Sequence, residues 1–289
     1  MSSIVTARSP HMRRIMPIIG ALVALFFLAP YIQMFFTAVK PAGELTDVPP
    51  SYFPREWQWS NFTTLFTRND GAVRGYFKSS LIIAIISTAI VLLVAVPAAY
   101  YVARHRFRWR TAFLLLIIVT QMIQPTSLVV GVIRTFVDLE DMTGITLLGD
   151  YAGLILVNSA FNLTFAVWIL QGFFAAIPPE IEEAAWMDGA SKLTTMRKIT
   201  LPLAMPGLVT CVIFTFVAAW NEFAMARALV FGNRSKWPLT LGLSDFTQLY
   251  EDEWNYLFAA SLLAIIPVVI LFAAIERYLI KGLTAGAIK

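Results

Sequence analysis

The chain has 289 residues, 58% of them hydrophobic and only 14% charged, with a mean hydropathy of +0.71. A soluble domain carries about 25% charged residues, so this apolar excess excludes a single water-soluble core. The formal charge of +4 sits in short clusters and not in a soluble basic domain, which excludes a nucleic-acid binder.

The first apolar run, 15–36, follows Arg13 and Arg14, as in a signal peptide. It is too long for a signal h-region and no small-residue cleavage site follows, so it reads as a retained anchor behind a cytoplasmic tail, 1–14. Five further runs follow, about 79–102, 112–133, 151–175, 203–226 and 257–280. Each approaches the roughly 20 residues that a helix needs to cross a bilayer. The expected fold is therefore an all-α membrane protein: a domain of six transmembrane helices over 15–280, with a tail at 281–289. Pro17, Pro30, Pro97, Pro125, Pro206 and Pro267 in or beside the runs read as kinks.

Basic residues set the orientation. Arg8, Arg13 and Arg14, the short loop Arg104, Arg106, Arg108 and Arg110, then Lys192, Arg197 and Lys198, and finally Arg277, Lys281 and Lys289 fall on one side. That side is cytoplasmic, with both termini on it, and its charge fits contact with anionic lipid. Two longer loops, 40–78 and 227–256, are then exported. Their aromatics, among them Trp57, Trp59, Trp237 and Trp254, suit an interfacial belt or a docking surface.

Polar side chains at membrane depth are costly and mark either helix contacts or a solute path. Gln121 and Gln124 lie in the third run, and Asn158 and Asn162 share one face of the fourth. Trp220, Asn221 and Glu222 lie towards the outer end of the fifth. The path reading takes Gln124, Asn158, Asn162, Asn221 and Glu222 as lining residues, with the Trp220 ring for stacking. The lone Cys211 can form no intramolecular disulfide and reads as a small packing residue. His11 and His105, set among arginines, read as surface residues. No catalytic residue, metal-ligand set or cofactor site is expected on this chain. No segment fits G-x-x-x-x-G-K-[ST], whose backbone amides cradle phosphates; Gly189-Ala190-Ser191-Lys192 lacks both the spacing and the following hydroxyl.

The cytoplasmic loop 178–202 is the most specific stretch. Pro179 suits a first helical position, Glu180, Glu182 and Glu183 suit a first turn, and Gly189 suits a left-handed cap. Ile181, Ala184, Ala185 and Asp188 share a face at i, i+3, i+4 and i+7. Composition leaves two readings open: an amphipathic helix lying on the membrane, or a helix inserted in a groove of a cytosolic protein.

Glu183-Ala184-Ala185, Gly189, Ile199 and Leu201-Pro202 resemble, in every position and both gaps, the EAA loop of bacterial ABC importer permeases. In that family the loop is a coupling helix seated in a cleft of the ATP-binding subunit. The resemblance implies contact with that subunit through Glu183, Ala184, Ala185, Trp186, Met187, Asp188 and Gly189. Ala219-Trp220-Asn221-Glu222-Phe223 and the tail from Lys281 to Lys289 resemble the shorter permease of maltose-type carbohydrate importers. There the tail also reaches the ATPase, which implies the same for Lys281, Gly282, Leu283 and Thr284. The implied partners are a second homologous permease, a dimer of ATP-binding subunits holding ATP and Mg, an extracytoplasmic solute-binding protein or lipoprotein, and membrane lipid. The implied location is a bacterial inner membrane and the implied cargo a di- or oligosaccharide. A permease for glycerol phosphate or an osmolyte, a secondary transporter and a membrane scaffold are the rival readings.

Overall fold

The computed structural model describes residues 10–67, 71–247 and 253–285, and the side chains of 16–67, 71–247 and 253–276. The helices, in chain order, are α1 (Pro10–Ala38), α2 (Ser60–Thr67), α3 (Ala72–Arg104), α4 (Arg110–Gln121), α5 (Val129–Thr143) and α6 (Tyr151–Ala176). They continue as α7 (Pro179–Met187), α8 (Lys192–Thr195), α9 (Leu201–Leu203), α10 (Met205–Trp220), α11 (Ala224–Val230), α12 (Leu239–Gly242) and α13 (Trp254–Ala285). A five-residue π turn, Met196–Thr200, joins α8 to α9.

Among the described residues, four helices are long and apolar enough to cross a membrane, or six if each of two bent pairs is one span. The four, α1, α3, α6 and α13, match the first, second, fourth and sixth runs. The third run is not one rod. α4 has 12 residues, about 18 Å at 1.5 Å per residue, which is short of a bilayer core near 30 Å. The chain then bends by 89° before Pro125–Thr143, because proline disfavours a helical residue ahead of it and cannot donate the next helical hydrogen bond. The fifth run is also corrected. Lys192–Leu203 meets Met205–Trp220 at 76°, and α10 ends at Trp220, so Glu222 lies in the turn before α11. Pro17, Pro30, Pro97 and Pro267 instead sit within single helices.

The described residues form two compact units, 1–67 with 246–263 and 68–245 with 264–289. In the first, Asn61 donates to the carbonyls of Ala38 and Lys40 at 2.8 and 2.9 Å. Buried Lys40 lies 3.9 Å from Glu44 and bonds Ser51. Phe35, Phe36, Phe53, Trp57 and Trp59 cluster there, and Trp57 and Trp59 stay half exposed as an interfacial belt would.

In the second unit α3 packs most extensively on α6, and both pack on α10. Ala95 and Ala99 of α3 and Ala166 of α6 are buried against Val91, Val167, Leu170, Phe174 and Cys211, and small side chains at such a seam let backbones approach. Gly207 of α10 is required there, because a Cβ would lie 2.5 Å from the Phe173 ring of α6. The 227–247 stretch is folded, not loose. Trp237 packs between Tyr76 and Phe231, and Arg234 and Asp245 close a network on the Tyr76 hydroxyl. That removes Trp237 from any interfacial belt.

Candidate coupling site and solute path

α7 begins as the residue types dictate, with Pro179 at its first position. It ends in a double-bonded cap: Gly189 N–H donates to Trp186 and Ala190 N–H to Ala185, both at 3.0 Å, with Gly189 at φ +85°. Ser191 then caps α8 by accepting from Thr194 N–H at 3.3 Å. α7 is thus a short helix with sharp ends, beside the C-terminal ends of α3 and α6.

Only Glu182 and Ala185 of α7 are buried. Glu183, Ala184, Trp186, Met187, Asp188 and Gly189 are exposed, with Met187 88% exposed. The shared face expected for Ile181, Ala184, Ala185 and Asp188 is therefore split. Ala185, at i+3 from Glu182, points inward with it, so this residue alone of the expected contact set is turned away from the open surface.

Glu182, 1% exposed, is the centre of a buried polar node. Its Oε1 accepts from Arg104 Nε at 2.9 Å, Arg104 Nη2 at 2.7 Å and Thr200 Oγ1 at 2.8 Å. Its Oε2 accepts from the Tyr100 hydroxyl at 2.8 Å. Arg104 Nη1 also donates to the carbonyl of Ile177, the cap of α6, at 3.1 Å. Burial pushes the Glu182 carboxyl up, but the bonds from Arg104, Thr200 and Tyr100 outweigh it and hold it below the usual carboxylate range. Glu182 lies in the first turn of α7 with Glu180, as expected, and in addition holds this node. Sequence reasoning missed this set: Arg104 counts there as an orientation charge, and Tyr100 and Thr200 carry no motif of their own. Beside the node opens a cleft of about 500 Å³ lined by Arg106, Arg110, Glu183, Trp186 and Lys192. Lys281, Gly282, Leu283 and Thr284 continue the backbone of α13, and their side chains lie outside the described residues.

The expected path residues scatter. Asn158 and Asn162 are buried, each amide donating one turn back along α6, to Leu154 and Asn158. Trp220 is corrected: it is 3% exposed, held between Phe77 and Phe216, and its indole N–H donates to Ala264 at 3.1 Å. No face of that ring is open for stacking. Glu222 accepts from Met225 N–H at 2.7 Å and so caps α11. Gln124 is exposed at the break after α4. Asn221 is exposed and lines an apolar cavity of about 440 Å³ with Thr210, Phe214, Val217 and Phe272. A second cavity of about 510 Å³ is lined by Trp168, Gln171, Phe173 and Thr210. Trp168, 45% exposed, is the open indole that sequence reading passed over, since an aromatic in an apolar run carries no signal of its own.

Residues 95–285 match the family model described as a binding-protein-dependent transport system inner membrane component. The chain is similar to the inner membrane ABC transporter permease protein YcjP of Escherichia coli (strain K12), 32% identical over 93% of this chain and 94% of that one. Equally similar is the diacetylchitobiose uptake system permease protein DasC of Streptomyces coelicolor (strain ATCC BAA-471 / A3(2) / M145), 32% identical over 96% and 97%. Its fold is that of a chain in a bacterial ABC transporter involved in the import of the acidic polysaccharide alginate. That match has a TM-score of 0.74 and 23% identity over 94% of this chain and 99% of that one. With the Glu183-Ala184-Ala185 to Leu201-Pro202 spacing on and beyond a short capped helix, and with relatives matched almost end to end, the chain belongs to the binding-protein-dependent inner membrane components, the permease subunits of ABC importers.

Proposed function

We propose that this chain forms half of the translocation pathway of an importer for a di- or oligosaccharide and takes its driving force from separate ATPase subunits through the 178–202 loop. The observation that carries this is α7. It is a nine-residue helix anchored on one side by Glu182 and Ala185 and presenting Glu183, Ala184, Trp186, Met187, Asp188 and Gly189 outward. A helix with a small-sided, partly acidic open face suits a groove on a cytosolic partner.

The partners in this reading are a second permease, a dimer of ATP-binding subunits that hold ATP and Mg, and an external solute-binding protein. The termini face the cytoplasm, where the basic clusters lie, and Lys281–Thr284 approach the ATPase. Closure of the ATPase dimer displaces α7 and rocks the two permeases between inward-open and outward-open states. A sugar cargo is supported by the diacetylchitobiose uptake named for one relative. It is also supported by an open indole beside amide and hydroxyl groups, Trp168 with Gln171 and Thr210. The solute surface on this chain then runs along the two cavities that share Thr210, with Asn221 at the other.

Reconstitution of the complex in vesicles tests the reading. Uptake is expected to require the ATPase subunits, to survive an uncoupler, and to follow a sugar bound by the cognate external protein. Uptake that proceeds without the ATPase and collapses with the uncoupler would sink it, and a non-sugar ligand on the binding protein would overturn the cargo alone.

A further inference from the structure

We infer that Glu182 and Arg104 are positioning residues that tie α7 to α3, to the end of α6 and to the entry of α10, so that α7 moves with these spans as one body. The inference rests on the reading of α7 as the coupling helix and says which part of the permease receives its motion.

The argument starts from what else holds α7. Its only buried apolar side chain is Ala185. Hydrophobic adhesion scales with buried apolar area, and a methyl group supplies little of it. Trp186, Ile181 and Met187, the large apolar side chains of α7, are all exposed at 40% or more. Packing therefore supplies only part of the hold, through Ala185 and the covered sides of Ile181 and Trp186. The directional part of the hold is one carboxylate bearing hydrogen bonds from three side chains on two separate stretches of chain. Tyr100 and Arg104 come from the last turn of α3, and Thr200 comes from the π turn leading to α10. Through Nη1, the same guanidinium holds the carbonyl of Ile177, where α6 stops.

Directionality makes this a mechanical link. Hydrophobic contacts slide, whereas charge-assisted hydrogen bonds fix distance and angle and lose energy when displaced. Glu182 is buried, so an unmade bond there leaves its carboxylate oxygen short of a partner at a cost. A pull on α7 is thus delivered to α3 and the entry of α10 before Ala185 loses contact. Pro178 and the left-handed Gly189 bound the helix on either side.

The test uses the full complex in vesicles and reads solute imported per ATP hydrolysed. Assembly with the ATPase and binding-protein-independent ATP hydrolysis are measured alongside. Glu182→Gln and Arg104→Gln are expected to assemble and hydrolyse ATP while import per ATP falls about tenfold, a usual size for a coupling between two sites. An unchanged ratio in both variants, including one in which uptake and hydrolysis fall together, overturns the inference. Should either variant fail to assemble, Tyr100→Phe combined with Thr200→Val removes two bonds and no charge. A several-fold fall in the ratio then supports the inference, and the wild-type ratio overturns it. Wild-type uptake that needs no ATPase defeats the coupling reading itself, a result distinct from either of these.

Discussion

At the scale of single residues, the carboxylate of Glu182 governs how this region responds to acid. Its proton affinity is held below the usual carboxylate range, so folding favours the ionised form. The stability this brings is fully present above the ordinary glutamate value, about 4.3, and is lost as pH falls through the lower folded value. The difference in melting temperature between wild type and Glu182→Gln is therefore expected to stay constant from about pH 5 to 8 and to shrink below about pH 4. Thermal denaturation in detergent across that range checks it. Removing Arg104 leaves the acid buried without its cation, which costs about 3–5 kcal/mol in such sites. The proposed solute surface gives a second residue-scale prediction. Ring stacking contributes about 0.5–1.5 kcal/mol, so Trp168→Ala should raise the KM of uptake roughly two- to tenfold. Trp220→Phe keeps the packing between Phe77 and Phe216 and should leave KM unchanged while lowering thermal stability. Equal KM effects for the two would return Trp220 to the path. Trp220 and Trp168 look alike in sequence, both indoles in apolar runs. Only the packing of α10 on its neighbours separates a closed ring from an open one.

Among the elements, local rules carried far. Pro179 and Gly189 mark the limits of α7 because each acts through its own backbone. Bonds that cross the chain were not legible. Glu182 meets Arg104 78 residues away and Tyr100 82 residues away, and no periodicity reports such a distance. Pro125 and Pro206 mark breaks in the third and fifth spans, but not how sharp those breaks are. Hydropathy measures how apolar a stretch is, and the 89° and 76° bends leave that average untouched. Two glycines make this scale testable. Gly189→Ala places a side chain at φ +85° and should cost about 1–2 kcal/mol, fraying the end of α7. Gly207→Ala drives a methyl into Phe173; overpacking of this kind costs about 1–3 kcal/mol. Melting temperatures should fall in both, and a trypsin site at Lys192 should open only in Gly189→Ala.

For the whole molecule, composition and charge bias were enough to read a multi-pass membrane chain, and the 183–202 spacing was enough to read its family. α1 carries an open apolar face. Its side chains from Met16 to Ile32 are exposed, as are many of α4, among them Leu115, Leu116 and Met122. Apolar surface on this scale is covered by lipid or by another subunit. Co-expression with the second permease should therefore raise the yield of monodisperse protein over that of this chain alone, and size-exclusion chromatography would show it.

The Glu182 node also limits what can be transplanted. Exchanging residues 178–190 between two permeases is an obvious way to re-pair a channel with a different motor. Such a graft delivers the acid without the arginine, tyrosine and threonine that hold it here, which stand outside the exchanged segment at 104, 100 and 200. The transferable module is therefore discontinuous: the loop together with three side chains, one of which holds the end of α6 as well. A chimaera built on that set should couple, whereas one built on the contiguous loop should assemble and slip.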